Sequence, residues 1–352
     1  MNETSAAPKP AIRVRHLWHR FGKVEVLRDV SFDVQQGEIF GFIGPNGAGK
    51  TTTIRIMATL LEPMAGKVEI DGWDVTIDPQ EVRKVIGYMP DHAGVYERLT
   101  VREYLEFFAD AYRVPTAGTT YAVVDAVMEL TDLIKLRDKF VATMSKGMKQ
   151  RLQLARTLLH DPKVLVLDEP ASDLDPRARI EIRDLLVELR SMGKTIFLSS
   201  HILTELADVC TSVAILERGR LVVSGPIADI ARRLEHPQDQ AASPALDLGP
   251  DAAAAAAAAS HVPPVPATTR NVRVRALAPV EAVYAALVSL AGVKSVSPGP
   301  AGTVTVEYSG DEHRVADIVR TLVAASIPVV GVEPERSELE RIFLEVTKGE
   351  VQ

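Results

Sequence analysis

Short apolar runs alternate with segments of helical periodicity over the first two thirds of the 352-residue chain. The apolar members of these runs follow one another directly, which is typical of strands in a parallel sheet that is covered on both faces. Helical patterns between the runs predict an α/β domain over residues 11–235. The clearest predicted strands are residues 24–34, 38–43, 164–167, 195–199 and 213–216.

One part of this domain, about residues 99–160, has an almost purely helical pattern. Val101, Leu105, Phe108 and Tyr112 recur at spacings of three and four, as on the buried face of an amphipathic helix. We therefore expect a helical subdomain inserted into the α/β domain.

The longest apolar runs have the length of strands and fall short of the roughly 18 residues that a membrane-spanning helix needs. We expect no membrane span in this chain.

The composition changes after residue 235. Residues 236–270 are rich in proline and contain a run of eight alanines, which predicts a linker between two domains. Globular patterning resumes over residues 271–352 in the order strand, helix, two strands, helix, strand, which is typical of a small α+β, ferredoxin-like domain. A terminal helix is expected at residues 337–346, and residues 1–10 are expected to form a flexible N-terminus.

Composition and charge exclude several classes of function. The chain carries 40 Lys and Arg against 47 Asp and Glu, a formal net charge of −7, so we expect no nucleic-acid partner. Cys210 is the only cysteine, which excludes an internal disulfide and a cysteine-based metal cluster and is typical of a reducing compartment. Because the net charge of the chain is negative, any phosphate that it binds must be bound by a local arrangement of residues.

A phosphate-binding sequence follows the predicted strand 38–43. It matches the pattern G-x-x-x-x-G-K-[ST], in which the glycines allow successive backbone N–H groups to face the phosphates. Lys50 is predicted to reach the β- and γ-phosphates, and the hydroxyl of Thr51 is predicted to complete the shell of a Mg²⁺ ion. The residues of this loop predicted to bind the nucleotide are Gly44, Pro45, Asn46, Gly47, Ala48, Gly49, Lys50, Thr51 and Thr52.

Two acidic residues, Asp168 and Glu169, end the predicted strand 164–167. A buried strand that ends in two acids delivers carboxylates to the edge of the sheet at which the phosphate loop lies. Asp168 suits the binding of Mg²⁺ through a water molecule, and Glu169 suits the polarisation of the attacking water. The two motifs together predict a P-loop ATPase whose cofactors are ATP and Mg²⁺.

The segment Met144-Ser145-Lys146-Gly147-Met148 narrows the class. It resembles, in altered form, the L-S-G-G-Q signature of the ATP-binding-cassette (ABC) family, and the expected helix follows it. The resemblance covers about residues 13–234 and implies that Ser145, Lys146 and Gly147 face a nucleotide bound by a second copy of the chain. A serine hydroxyl and glycine amides at the start of a helix form an anion site.

The order of further motifs supports the same resemblance. Residues 172–175 resemble the family's D-loop, which touches the partner subunit. His201, just past a predicted strand, resembles the switch histidine that contacts the γ-phosphate and is implied to act in catalysis with Glu169 and Lys50. Phe21 matches the aromatic residue that stacks on adenine, with a place in the hydrophobic core as the alternative.

Two positions depart from the family pattern. Asp91 stands where the family has a glutamine, so either it ligates the metal ion directly or its loop serves only a partner contact. Lys146 stands in place of a signature glycine. Its ammonium group could lie near the γ-phosphate of the opposite site, or it could be solvated.

The resemblance implies a subunit that dimerises around two ATP molecules and drives separate membrane permease subunits, at the cytoplasmic face of the membrane. The single cassette and the variant motifs are similar to ATPases of ABC-2-type exporters. Two alternatives stay open: an ABC ATPase that acts on a partner outside the membrane, and a nucleotide-gated binding module. The implied fold is a P-loop ABC ATPase domain, a mixed sheet with a helical subdomain, followed by the ferredoxin-like domain.

Overall fold

A computed structural model describes most of the chain. The described residues are 9–91, 94–114, 122–201, 209–235, 269–288, 290, 292–299, 303–309 and 312–334. The expected terminal helix 337–346, nearly all of the expected linker and residues 1–8 lie outside these ranges. The described residues fall into two compact units, one within residues 9–235 and one within residues 269–334.

A six-stranded mixed sheet is the centre of the first unit. Its strands lie in the order β10-β9-β3-β8-β7-β6, and all neighbouring pairs are parallel except β9 and β10. Its central strands are fully buried, which agrees with the continuous apolar runs in the sequence. The strands are β3 (Ile39–Ile43), β6 (Ile86–Met89), β7 (Val164–Asp168), β8 (Thr195–Ser200), β9 (Ser212–Glu217) and β10 (Arg220–Pro226).

A second, antiparallel sheet has the order β2-β1-β4-β5. Its strands are β1 (Ile12–Phe21), β2 (Val24–Val34), β4 (Ala65–Ile70) and β5 (Trp73–Asp74). The expectation that residues 24–34 belong to the parallel sheet was wrong. In β2 the buried residues Val30, Phe32 and Val34 alternate with more accessible ones, as in an antiparallel strand with one covered face.

Two hydrophobic cores cover the two faces of the six-stranded sheet. Phe40, Phe42 and Phe197 project from one face and pack on Phe32 of β2, with ring centroids 5.4–5.9 Å from that ring. Leu165, Leu167 and Leu198 belong to the core on the other face. Successive residues of a strand point to opposite faces, so each central strand contributes to both cores.

Helices surround the sheets, and their starts follow ordinary capping chemistry. The Thr100 hydroxyl accepts a hydrogen bond from Glu103 N–H while the Glu103 carboxylate accepts one from Thr100 N–H, a capping box. The helices are α1 (Lys50–Met57), α2 (Pro79–Val85), α3 (Val101–Ala111), α4 (Ala122–Leu130), α5 (Lys146–Leu158), α6 (Pro176–Ser191) and α7 (Ile227–Glu235). Two 3₁₀ turns, Ile134–Leu136 and Val141–Thr143, lie between α4 and α5. Among the described residues between 99 and 160, the regular elements are therefore all helices or 3₁₀ turns, which agrees with the predicted helical pattern.

The second unit confirms the predicted ferredoxin-like order. Its strands β11 (Thr269–Ala276), β12 (Val293–Pro298), β13 (Val304–Ser309) and β14 (Val329–Pro334) form a sheet in the order β12-β13-β11-β14. All three pairs are antiparallel. Helices α8 (Val280–Leu287) and α9 (Glu312–Ala324) complete the βαββαβ sequence. This unit has a hydrophobic core of its own, around Val274, Val306 and Ile318.

Candidate nucleotide site

The loop between β3 and α1 has the backbone conformation that its glycines allow. Gly47 and Gly49 adopt left-handed φ angles of 80° and 111°, which residues with a side chain rarely adopt. Gly44 has no such angle, but an added Cβ would overlap the carbonyl oxygen of Leu216 on β9. The sequence pattern therefore reflects two requirements: left-handed turns in the loop and close passage of the loop past β9.

Lys50, the first residue of α1, points back across this loop. Its Nζ donates a hydrogen bond to the Gly44 carbonyl at 2.7 Å and lies 3.4 Å from the Pro45 carbonyl. The same ammonium lies 3.5 Å from Oε1 of Glu169, and the Lys50 side chain is only 6% exposed. A buried cation at the start of a helix, beside backbone N–H groups, forms an anion-binding arrangement.

The other loop residues occupy the rim. Pro45, Asn46 and Gly47 are exposed, whereas Ala48 is buried and its N–H donates to the Pro45 carbonyl at 3.1 Å. Thr51 is exposed and Thr52 is half-buried, both in the first turn of α1. The loop therefore offers an accessible surface with Lys50 beneath it.

Asp168 and Glu169 lie where β7 ends. Asp168 is 1% exposed, and its Oδ1 accepts a hydrogen bond of 2.6 Å from the Ser199 hydroxyl. Burial raises the pKa of the Asp168 carboxyl; hydrogen bonds from Ser199 and Thr51 lower this pKa, and the charges of Asp91 and Glu169 raise it. Bringing a cation to this carboxylate would relieve the cost of its burial.

Glu169 connects the two sides of the site. One carboxylate oxygen faces Lys50, and the other, Oε2, lies 2.7 Å from Nδ1 of His201, which follows β8. The backbone of Glu169 has a left-handed φ of 52°. A left-handed backbone conformation is strained for glutamate, and such strained residues are often found at functional sites.

Sequence reasoning missed one residue of this group, Ser199. It is fully buried on β8 and bonds both to Asp168 and to the backbone N–H of Glu169, at 2.6 Å and 3.0 Å. The signal available in the sequence was its position two residues before His201, at the end of a strand predicted to lie next to the acidic one. A serine at a strand end is too common to be singled out without the strand order.

The residues present fit a Mg²⁺ ion. A buried carboxylate, Asp168, receives a hydrogen bond from the hydroxyl of Thr51, and these are two oxygen groups of the type that Mg²⁺ prefers. Within the part of the chain that the structure describes, no group of three or more His, Cys, Asp or Glu side chains could hold a metal without other ligands. Mg²⁺ in phosphate-transfer sites takes its remaining ligands from substrate phosphates and water.

Asp91 lies on the exposed loop after β6, close enough for its charge to raise the pKa of Asp168.

Phe21, at the end of β1, is 51% exposed and packs its ring edge-on against His19 with centroids 4.7 Å apart. Phe21 is therefore not a core residue, and the exposed half of its side chain is accessible to a planar ligand.

Ser145, Lys146 and Gly147 form a second group, at the start of α5. The Ser145 side chain caps this helix by accepting a hydrogen bond from Met148 N–H at 3.3 Å. Nζ of Lys146 lies 2.9 Å from Oδ2 of Asp173, and both side chains are exposed. At Gly147 an added Cβ would lie 2.8 Å from Cβ of Ala178 on α6. The glycine thus allows α5 to approach α6 closely.

Comparison with known proteins identifies the family. The family model for ABC transporters matches residues 27–172, a segment that includes the phosphate loop, the start of α5 and the acidic pair. The chain is 35% identical over 211 residues to the ABC transporter ATP-binding protein NatA of Bacillus subtilis, a match over 59% of this chain and 84% of that protein. It is 38% identical over 218 residues to the Nod factor export ATP-binding protein I of Burkholderia lata, over 62% of this chain and 71% of that protein.

Some relatives are matched over a smaller share of their length. The chain is 44% identical over 199 residues to the uncharacterized ABC transporter ATP-binding protein YhcH of Bacillus subtilis, over 56% of this chain. It spans between 58% and 64% of the length of three such curated relatives.

Solved structures show the same fold. The structure of an ATP-binding subunit of an ABC transporter superposes with a TM-score of 0.57 at 34% identity, over 64% of this chain and 93% of that one. A bacterial Atm1-family ABC exporter with ATP bound superposes with a TM-score of 0.55 at 26% identity, over 70% of this chain and 45% of that one. The chain belongs to the ABC transporter family.

Proposed function

We propose that this chain binds ATP with Mg²⁺ at the phosphate loop and hydrolyses it to ADP and phosphate. One observation carries the proposal: Glu169 bridges Lys50 and His201, at 3.5 Å and 2.7 Å, beside the buried Asp168. A cation, a candidate base and a carboxylate for a metal ion thus converge at one edge of the sheet. This set suits attack by water on a phosphoryl group.

The chain's own residues supply positioning and charge. Lys50 and the loop N–H groups bind the β- and γ-phosphates, while Asp168, Thr51 and Asp91 would hold a Mg²⁺ ion, which neutralises charge on the phosphates when bound. Glu169 orients the attacking water and accepts its proton, and His201 contacts the γ-phosphate. Water bonds to the γ-phosphorus as the bond to the bridging oxygen breaks, so no covalent enzyme intermediate is needed.

A second copy of the chain would complete the site. Ser145 and Lys146 lie at the N-terminus of α5, exposed to solvent, and form a group separate from Lys50, Asp168 and Glu169. We propose that they face the γ-phosphate of ATP held by the other copy, so that two ATP molecules lie in the dimer interface. ATP would then favour the closed dimer and hydrolysis would release it.

We further propose that the dimer drives separate permease subunits at the cytoplasmic face of a membrane. Among the helices that the structure describes, none is long and apolar enough to cross a bilayer. Export is supported by the relative whose name assigns it to Nod factor export.

The hydrolysis proposal is tested by phosphate release from MgATP by the full chain, with membranes that contain the permease added if the chain alone is slow. Lys50→Ala and Glu169→Gln should each lower the rate at least about 100-fold, since each removes a group acting in the transition state. Glu188→Gln, an exposed change on α6, is the matched control and should have no effect. Equal rates for wild type and Lys50→Ala would contradict the proposal.

The transport proposal needs a different experiment. Tagged Glu169→Gln chain, which should hold ATP without turning it over, is purified from detergent-solubilised membranes with MgATP and its companions are identified by mass spectrometry. A stoichiometric protein with several membrane spans would support the transporter. Recovery with ribosomes, with DNA, or as a dimer alone would contradict it.

A further inference from the structure

Ser199 lies at the centre of the candidate nucleotide site, although none of the sequence motifs named above contains it. Strand β8 runs between β3, which carries the phosphate loop, and β7, which carries the acidic pair. In the register of these strands Ser199 is level with Phe42 on one side and with Asp168 on the other. Its exposed fraction is zero. A buried hydroxyl is costly unless it is hydrogen-bonded, so its partners are informative.

Both hydrogen-bonding capacities of the Ser199 hydroxyl are used. The backbone N–H of Glu169 can only donate, so at 3.0 Å the Ser199 Oγ accepts from it. The single hydroxyl hydrogen is then free for the Asp168 carboxylate, whose Oδ1 lies 2.6 Å away. One side chain thus bonds to the proposed metal carboxylate and to the backbone of the proposed base.

The backbone at Glu169 needs such a restraint. A φ of 52° places this non-glycine residue in the left-handed region, a strained conformation that persists only where the surroundings hold it. Its N–H is bonded to Ser199, and its carbonyl accepts from Ser172 N–H at 3.1 Å. These two bonds fix the peptide planes on both sides of Glu169. The Glu169 side chain is thereby directed between Lys50 and His201.

We infer that Ser199 is a positioning residue for ATP hydrolysis: it sets the Asp168 carboxylate and the Glu169 backbone in fixed relation to each other. The inference rests on the proposed function. It assigns Ser199 no contact with the nucleotide and no proton transfer. Loss of its hydroxyl should therefore impair two things together, the use of Mg²⁺ by Asp168 and the orientation of water by Glu169.

The test compares Ser199→Ala with Ser200→Ala in the full chain. Ser200 is the next residue of β8, is 3% exposed, and points to the opposite face of the sheet. It therefore controls for the loss of one buried strand hydroxyl. The readouts are the affinity for a fluorescent ATP analogue, measured with Mg²⁺ and with EDTA, and kcat for ATP hydrolysis.

Ser199→Ala should reduce the gain in affinity that Mg²⁺ provides by about tenfold, as expected for loss of a hydrogen bond to a charged group. Its affinity in EDTA should be unchanged, and kcat should fall by a similar factor. Ser200→Ala should match wild type in all three measurements. Ser199→Thr keeps the hydroxyl and should restore both properties, and it serves as the second variant if Ser199→Ala does not fold.

Two results would overturn the inference. One is a Ser199→Ala chain that matches Ser200→Ala in Mg²⁺-dependent affinity and in kcat. The other is equal weakening of binding with Mg²⁺ and with EDTA, which would indicate general damage to the loop. Failure of the proposed function is recognised separately: the wild-type chain would then show no gain in affinity from Mg²⁺, or Asp168→Asn would leave that gain intact.

Discussion

Single residues of the site depend on one another because they are buried together. Lys50 is 6% exposed and Glu169 is 13% exposed, and Asp168 is almost completely buried. Each charge has lost most of its contact with water, and a neighbour of opposite charge or a hydrogen-bond donor offsets the cost of its burial. Removing one partner therefore leaves an uncompensated charge, so conservative substitutions are the informative ones in this site.

Gly44 gives a residue-scale prediction about stability. Its backbone φ is ordinary, but an added Cβ would overlap the Leu216 carbonyl oxygen, a backbone atom of β9 that cannot rotate away. Gly44→Ala should therefore lower the free energy of unfolding by about 1–3 kcal/mol, the usual cost of overpacking. The measurement is urea unfolding followed by circular dichroism.

Gly94→Ala is the matched control for this substitution. Gly94 also has an ordinary φ, and an added Cβ there would meet nothing within 4 Å. The free energy of unfolding of this variant should stay within about 0.5 kcal/mol of wild type. Equal stability of the two variants would show that the loop can move away from β9, and that close passage does not explain the glycine at position 44.

The residues of the candidate site could be named from the sequence because the motifs specify side chains directly. Lys50, Asp168 and Glu169 lie together as their motifs require. What a linear motif does not contain is a contact made across strands. Ser199 bonds to Asp168 over a separation of 31 residues. The ion pair of Lys146 with Asp173 likewise joins residues 27 positions apart and was not predicted from the sequence.

At the scale of elements, strand order brings the site together. Strands β3, β8 and β7 are neighbours in the sheet, although their ends lie at residues 43, 200 and 168. Periodicity predicted each of these strands, because fully buried strands have continuous apolar sequences. It misassigned β2, whose buried residues alternate with more accessible ones, as in an antiparallel strand with one covered face. Pairing partners are decided by contacts distant in sequence.

Helix α5 is joined to the loop after Glu169 by two contacts of different character. Nε2 of the buried Gln150 donates to the Pro170 carbonyl at 2.8 Å, whereas the Lys146–Asp173 ion pair is exposed. Gln150→Leu leaves a carbonyl without its partner and should lower the free energy of unfolding by about 1–3 kcal/mol. Lys146→Leu should cost at most about 1 kcal/mol, because water screens the pair.

The dependence on ionic strength distinguishes the stability loss of Lys146→Leu from that of Gln150→Leu. The cost of Lys146→Leu should shrink as ionic strength rises, since an exposed ion pair is screened, and the cost of Gln150→Leu should not change. Unfolding in urea at low and high sodium chloride measures both. If Lys146→Leu proves the more costly substitution at both salt concentrations, the ion pair and not the buried amide fixes the loop to α5.

At the scale of the whole molecule, two units have separate hydrophobic cores. The cores on either side of the six-stranded sheet are built from residues 11–230, and the third core is built from residues 272–327. The described site residues lie between Phe21 and His201. The physical reason for two units is that the two sheets of the first unit share a core, whereas the third sheet buries its apolar face against helices of its own.

A chain that ends after Glu235 should therefore fold and bind MgATP with an affinity within about twofold of the full chain, because the first unit has hydrophobic cores of its own. A chain that ends after Glu217 is the matched control. It lacks β10, which pairs with β9, and Ile230, which is 2% exposed in the core, so it should not fold. Circular dichroism establishes folding, and titration with a fluorescent ATP analogue measures affinity.

Two outcomes would contradict this division of the chain. A folded chain 1–235 that does not bind ATP would show that residues beyond 235 take part in the site. Folding of the chain 1–217 would show that β10 and α7 are dispensable to the first unit.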